Sequence, residues 1–249
     1  MLPISITLVK LGNLRYLVDV NFLKNWKSEI IKISEIKEVS TIEDAKGMGG
    51  EGMAGNFRHY TDGQLENIIQ KNPNSNLTIG LIGEPLQEDY YLRPLKDETC
   101  VISLHEMGRM MQMHNFTIES YILRNVYRVV TAWVADGSVI IQSGRMQPHD
   151  FNKCLFDYNW NKADILLSMD SPPVCQSCKE KLAKKALPNN FLPILDKDLS
   201  RIRKALYFRI IDWIKSHPLI SVSLAVLGAL LLNVAGNIIY ELGKGLIPK

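Results

Sequence analysis

The chain has 249 residues, 46% of them hydrophobic, and a formal net charge of +3. This length permits one domain or two small ones with a sizeable core. Residues 179–215 carry ten Lys or Arg against four Asp or Glu, so the chain before them is net acidic. That distribution argues against a nucleic-acid-binding body and favours a membrane surface as partner, because a long uncharged run follows directly.

The N-terminal half predicts a mixed α/β body. Residues 47–56 are rich in glycine but lack the Lys-Ser/Thr ending of a phosphate loop, so we expect a flexible connection there. The run EIIKISEIKEV (29–39) fits either a strand or a helix. Short apolar or alternating runs predict strands at ISITLVKL (4–11), YLVDVNFL (16–23), LTIGLIGEPL (77–86) and TCVISLHEM (99–107).

Two helices follow from periodicity and capping. DGQLENIIQKN (62–72) is one, and residues 118–136 keep an apolar face behind Thr117, which can cap the helix. Cys100 lies inside an apolar strand and is expected in the core. LPNNFLPILDKD (187–198) predicts a linker between the body and a membrane-proximal helix.

Four soft or borderline metal ligands are grouped between these segments. His149, Cys154, Cys175 and Cys178 have the spacing His-x4-Cys-x20-Cys-x2-Cys, which suits a closed tetrahedral structural zinc site. Two alternatives stay open. The close cysteine pair could be redox-active, although VCQSCKEKL lacks thioredoxin-like flanks, or the cysteines could pack as small apolar residues without a metal. The low cysteine count and the absence of a signal-peptide pattern favour a reducing, cytosolic body.

The stretch from Thr78 to Leu182, about 105 residues, resembles archaemetzincins, which are zinc peptidases of the metzincin type. CVISLHEM stands at the family's strand. His149-x4-Cys154 stands where the family has Cys-x4-Cys, and Cys175-x2-Cys178 with KEKL closes the zinc knuckle at 149–182. The resemblance implies an α+β, zincin-like fold of mixed sheet and helices with a structural zinc knuckle. The chain is also similar to bacterial proteins that keep this cysteine framework without the protease motif.

The helix that would carry HExxH departs from the family, because SYILRNVYRVVTAWVAD contains neither His nor Glu. A catalytic zinc needs three protein ligands and a general base near its water. The resemblance therefore implies a degenerate domain without peptidase activity. A rearranged site of His105, Glu106, His114 and His149 is the alternative, since HEMGRMMQMHN (105–115) approaches the motif but has Arg109 in place of the second His.

The C-terminal run predicts a single transmembrane helix at 218–240. It holds 23 residues without a charge, close to the ~20 needed to cross a bilayer, and the alternative is a buried core helix. Lys and Arg are dense before it and sparse after it, which puts the body in the cytoplasm. The preceding segment, DKDLSRIRKALYFRIIDWIKSH (196–217), predicts a basic amphipathic helix that lies on the membrane or continues the span as a stalk.

Small and polar residues recur every four positions along the span, at Ser221, Ala225, Ala229, Asn233 and Asn237. Small residues let helices approach closely, and amides in hydrocarbon seek partners, so we expect a homo-oligomeric association through this stripe. The alternative is an isolated anchor that tolerates its polar residues. The expected divisions are a zincin-like body at 1–187, a linker and amphipathic helix at 188–217, the span at 218–240 and a short tail at 241–249.

Three functions remain open on the sequence. The first is a non-enzymatic effector or signalling protein, whose zinc-stabilised body controls a self-associating span and which, by analogy with the bacterial proteins, disrupts membranes in anti-phage defence. The second is a membrane-anchored zinc metallopeptidase. The third is a membrane-tethered adaptor or sensor. A regulatory protein or a small molecule would be the trigger, and no nucleic acid is expected.

Overall fold

A computed structural model of the chain describes residues 2–14, 18–48, 58–139, 153–157, 159 and 161–246, with the backbone alone at 240–243, 245 and 246. The chain forms two compact units, Met1–Arg203 and Lys204–Lys249. The first unit, called the body below, is an α+β structure, which confirms the predicted fold class.

A five-stranded mixed sheet forms the centre of the body, in the order β2-β1-β5-β7-β6. The first four strands in this order are parallel, and β6 pairs antiparallel with β7 at one edge. All residues of β5 and β7 are buried, as expected for parallel strands covered on both faces. The strands are β1 Ile4–Leu11, β2 Ile31–Val39, β5 Leu77–Ile82, β6 Leu92–Pro94 and β7 Thr99–Ser103, and a separate pair is formed by β3 Gly47–Met48 and β4 Arg58–His59.

The body's helices cover both faces of the sheet. Side chains of α2 pack with Val9, Leu11 and Val101 on one face, and the larger core on the other face takes side chains from the remaining helices of the body. These helices are α1 Val20–Lys24, α2 Asp62–Ile68, α3 Met107–Met113, α4 Ile118–Asp136, α5 Gln176–Ala183 and α6 Phe191–Leu199, with 3-10 turns at Gln87–Asp89 and Lys162–Ser168.

Most of the predicted strands and helices are confirmed, but the strand predicted at 16–23 is wrong. Residues 29–39, left open between strand and helix, contribute β2, while the predicted strand YLVDVNFL (16–23) contains the start of α1. Asp19 accepts a hydrogen bond from the Phe22 backbone N–H at 2.9 Å and so caps this short helix. A capping carboxylate outweighed the β-branched residues around it, because a capped first turn satisfies backbone donors locally.

Helix α4 runs through the larger core of the body. Thr117 caps it as predicted, accepting a hydrogen bond from the Ser120 N–H at 3.1 Å, and Gly137 ends it with φ +67°. Residues 118–132 are all buried, including Arg124, Asn125 and Arg128. A helix buried on every side is a core helix, so α4 does not line a cleft along this length.

The predicted linker at 187–198 is wrong in its structural character. Residues 191–199 form α6, and Phe191, Leu195 and Leu199 are buried in the larger core. Asp198 accepts hydrogen bonds from the Ser28 hydroxyl at 2.6 Å and from the Tyr127 hydroxyl at 2.8 Å. The body therefore extends beyond residue 187, to Arg203, and the amphipathic segment 196–217 is interrupted rather than one continuous helix.

The second unit consists of two helices, α7 Leu206–Ser216 and α8 Pro218–Leu246. The stretch Pro218–Ile239 of α8 is long and apolar enough to cross a membrane, and none of it is buried within the chain. The alternative of a buried core helix is therefore not what this chain forms. Length and composition support a membrane span at this helix, while its orientation across a membrane stays a prediction.

Candidate metal centre

Three of the four predicted ligands meet at one point in the body. The sulfur atoms of Cys154, Cys175 and Cys178 all lie within 4.8 Å of one another. Among the residues that the structure describes, this is the one group of three or more His, Cys, Asp or Glu ligands close enough to share an ion. The fourth predicted ligand, His149, lies outside the described residues.

The start of α5 brings the Cys-x2-Cys pair together. Cys175 is the extended residue immediately before the helix, with φ −64° and ψ 160°, and Cys178 is the third helical residue. Side chains at these two positions face each other, as they do in a capping box. A two-residue spacing therefore points both sulfurs to the same side of the helix start.

The third sulfur comes from a tight turn at residues 154–157. The Cys154 N–H donates to the Asp157 carboxylate at 2.9 Å, and the Leu155 N–H donates to the Pro173 carbonyl at 2.8 Å. The Cys154 sulfur accepts hydrogen bonds from the backbone N–H groups of Phe156 at 3.5 Å and Cys175 at 3.3 Å. N–H groups aimed at a sulfur favour its thiolate form, which is the form that binds a metal.

Protons are shared unequally among the three thiols when no metal balances them. The hydrogen bond from Cys178 lowers the pKa of the Cys154 thiol to about 6, and burial opposes that effect. The same hydrogen bond, followed by burial, raises the pKa of the Cys178 thiol, while burial raises the pKa of the Cys175 thiol. One thiolate is thus favoured at neutral pH, and a divalent cation would have to displace the remaining protons on binding.

The donor set fits zinc. Thiolates are soft ligands that select zinc over hard cations, and three of them within 4.8 Å match three corners of a tetrahedron. Burial of Cys154 and Cys178 keeps those sulfurs from solvent. Cys175, which is partly exposed, and the two buried cysteines would hold the ion, with the fourth position open to His149 or to another donor.

Two buried arginines on α4 bind the segments around Cys154, and nothing in the sequence analysis singled them out. Arg124 is fully buried and donates to the Ser168 carbonyl at 3.2 Å and the Ser168 hydroxyl at 2.6 Å. Arg128 donates to the carbonyls of Leu155 at 2.9 Å and Asp157 at 2.8 Å. Burial lowers the pKa of Arg124 to about 10, which leaves it charged at neutral pH. The sequence signal that could have pointed to these residues is the pair of arginines, four positions apart, in an otherwise apolar helix.

These arginines also bear on the charge of the candidate centre. Three thiolates around a divalent cation carry a net charge of −1 if the fourth ligand is neutral. An uncompensated charge in a protein interior is costly, and a nearby guanidinium reduces that cost. The electrostatic attraction between Arg124 and the Cys154 thiolate acts in this direction.

The alternative peptidase residues are not brought together. Glu106 precedes α3, exposed and with φ +62°, whereas His114 follows it and is also exposed. The seven residues of α3, Met107–Met113, lie between His105 and His114 in the chain. Within the described part of the chain, His105, Glu106 and His114 form no metal-ligand group.

The predicted stripe on the apolar helix lies along α8, but its polar groups find partners within the helix. Asn237 donates to the Asn233 side-chain oxygen at 3.2 Å, and the Ser221 hydroxyl donates to the His217 carbonyl at 2.9 Å. An amide can donate two hydrogen bonds and accept two, so this one bond does not exhaust either asparagine. The association of the stripe with another chain remains a prediction.

No family model and no curated protein matches the chain. Among solved structures, the archaemetzincin of Methanopyrus kandleri is similar, with 18% sequence identity and a TM-score of 0.43. The similarity covers 73% of this chain and 94% of that chain. Values of this size establish neither a shared site nor a shared activity, and the proposal of a zinc centre stands on the cysteine geometry of this chain.

Proposed function

We propose that this chain is a non-enzymatic membrane protein in which a zinc-stabilised cytosolic body controls a self-associating transmembrane helix. The observation that carries the proposal is the position of α4. By the sequence resemblance, α4 stands where a zincin-like domain would hold its catalytic ligands, and here this helix is packed in the core. Arg124 and Arg128 on α4 both donate to the carbonyl of Leu155, next to Cys154. Such a helix supports structure rather than hydrolysis.

A structural role for the zinc follows from how the cysteines are held. Cys154 and the start of α5 belong to segments far apart in sequence, and a metal would join them to the core beneath α4. Structural zinc contributes folding free energy directly, because an ordered ligand set exists only in the folded chain. The zinc would thus maintain the C-terminal part of the body, which precedes the membrane segment in the chain.

The membrane part of the proposal rests on α8. Its apolar stretch Pro218–Ile239 is exposed in a single chain, and lipid would cover it. The small and amide residues of the stripe then offer a contact face to a second copy. Clustering of spans through this face would disrupt the membrane when the body is triggered.

An expression experiment tests this function. The full chain and a chain that ends at Arg203 are induced in bacteria, and membrane potential is followed with a voltage-sensitive dye. The shorter chain keeps α6 and therefore the whole body. We expect depolarisation only with the full chain.

A control with a different span makes the outcome decisive. A chain that carries the same body and an unrelated leucine-rich span should stay in the membrane without depolarising it. If the full chain is retained in the membrane and never depolarises it under any trigger, the effector function is wrong. The protein would then be an adaptor, and its tail would be only a membrane anchor.

A further inference from the structure

Helix α7 carries an exposed apolar face. None of its residues is buried, and five large apolar side chains are between 43% and 67% exposed, namely Leu206, Tyr207, Ile210, Trp213 and Ile214. At ~100° per residue, these five lie within an arc of ~120° around the helix. A continuous apolar strip of this kind marks a surface that another molecule or phase covers.

The face opposite the strip carries the charged residues of α7 alongside the half-buried Phe208, and its net charge is positive. Asp212 lies nearly opposite the apolar strip, and Arg209 and Lys215 lie on either side of it. Lys204 is 2.7 Å from the Asp212 carboxylate, so the one acid of the helix is already paired. Arg209 is left near one border of the strip and Lys215 on the polar side of the helix, and long basic side chains at both positions can reach phosphate groups.

The chain between α7 and α8 is not helical, so α7 can be oriented differently from α8. α7 ends at Ser216 and α8 begins at Pro218, while His217 between them is non-helical with φ −132° and ψ 60°. The two helices are therefore separate, and α7 does not have to continue the span as a stalk. Even upright, an 11-residue helix would extend only ~16 Å from the start of the span.

We propose that α7 lies in the interfacial layer of a bilayer containing anionic phospholipid, with its apolar strip towards the acyl chains and its basic residues at the headgroups. This inference rests on the proposed membrane span of α8. Tyr207 and Trp213 suit this layer because their rings are apolar while their polar atoms stay hydrated. As a stalk, α7 would leave the strip in water at a cost of ~25 cal/mol per Å² of apolar surface.

A helix held parallel to the surface fixes the point where the chain leaves the membrane, shortly after Arg203. Any change in the body that pulled on this point would have to lift apolar side chains out of the lipid. α7 would then resist weak forces on α8 and transmit strong ones.

The test measures the depth of Trp213 in the full chain. The chain is reconstituted in vesicles of equal parts phosphatidylcholine and phosphatidylglycerol, with lipids brominated either near the glycerol end or near the methyl end of the acyl chains. Trp213 emission is the difference between the parent and Trp213→Phe. We expect shallow bromines to quench most of this emission and deep bromines to quench less, with weaker quenching by both in vesicles of phosphatidylcholine alone.

Matched variants locate the effect on one face. Ile210→Gln with Ile214→Gln, on the strip, should lose the quenching, whereas Asp212→Asn with Ser216→Gln, on the polar face, should keep it. Unquenched Trp213 in a chain that resists carbonate extraction would overturn the inference and leave the span intact. Extraction of the parent chain by carbonate would instead overturn the proposed span, and the inference with it.

Discussion

At the residue scale, the cysteine cluster and the arginines beside it determine the chemistry of the body. Cys154, Cys175 and Cys178 supply three sulfurs within 4.8 Å, and Arg124 supplies a buried positive charge. Neither feature is stable alone, since clustered thiolates repel and a buried guanidinium is costly. Together they form a locally balanced site, and each of its members can be tested separately.

Replacing a ligand should remove the metal. Cys178→Ser is expected to abolish zinc retention, measured as metal per chain by mass spectrometry, because a hydroxyl is a poor substitute for a buried thiolate. The loss of ~3 kcal/mol or more of folding free energy should lower Tm by roughly 6–12 °C for a domain of this size.

Cys100 provides the matched control, because it is equally buried but lies in β7, away from the cluster. Cys100→Ala should reduce stability slightly through lost packing and leave zinc content unchanged. A Cys178→Ser chain with the parent's zinc content and Tm would exclude a metal centre at these cysteines.

Removal of the Arg124 guanidinium should destabilise the body without removing the metal ligands. In Arg124→Met, the carbonyls of Ser168 and Leu155 lose a hydrogen-bond donor. We expect the free energy of unfolding in urea to fall by about 2–4 kcal/mol, because this loss outweighs the desolvation penalty that is removed with the buried charge. Ser168→Ala alone should cost about 1 kcal/mol. The double variant should show a coupling of ~1 kcal/mol, and strict additivity would contradict the hydrogen bond at 2.6 Å.

At the element scale, the positions of α4 and α3 support a structural domain over a peptidase. α4 is a core helix, and α3 separates His105 from His114. α6 adds Phe191, Leu195 and Leu199 to the core that α4 crosses. Residues of the sheet and of α6 therefore share one hydrophobic core with α4.

The residue Glu106 tests the peptidase alternative. Glu106→Gln would abolish the base of a zincin-like site, yet the exposed side chain makes no capping hydrogen bond to α3. We expect an unchanged membrane-depolarisation phenotype and a stability within ~0.5 kcal/mol of the parent. A phenotype lost at normal protein level would restore the metallopeptidase function.

At the scale of the whole molecule, the chain joins a folded body to α8, whose stretch Pro218–Ile239 is long and apolar enough to cross a membrane. In the proposed function, the behaviour of the chain would depend on how lipid and other copies of the chain act on α8. The Asn233–Asn237 hydrogen bond reduces the cost of placing two amides in hydrocarbon, so a single copy can remain inserted. Association would then be adjustable rather than permanent.

Substitutions along α8 test the association. Asn233→Leu with Asn237→Leu should keep the chain in the membrane but reduce crosslinked oligomers and depolarisation, since interhelical hydrogen bonds in membranes contribute ~0.6 to 2 kcal/mol. Ala229→Ile should act similarly by preventing close approach. Leu227→Ile lies off the stripe and should have no effect. Undiminished crosslinking by the double variant would leave α8 as a simple anchor.

Features that depend on neighbouring residues could be predicted from the amino-acid sequence. The strands at 4–11, 77–82 and 99–103, the Thr117 cap and the uncharged run before Tyr240 are all local patterns, and the structure follows them. The donor types and their spacing also predicted that the sulfurs of Cys154, Cys175 and Cys178 would meet, because Cys-x2-Cys is a local turn and a third thiol lies upstream of it.

Features that depend on contacts between distant residues could not be predicted in this way. LPNNFLPILDKD has prolines and asparagines typical of a linker, but a pocket in the core accepts Phe191 and Leu195, and burial outweighs local preference. Arg124 and Arg128 break the apolar pattern of α4, and their partners lie 27 to 44 residues away. No local pattern encodes such contacts, because the free energy of burying a charged side chain depends on which groups the fold places around it.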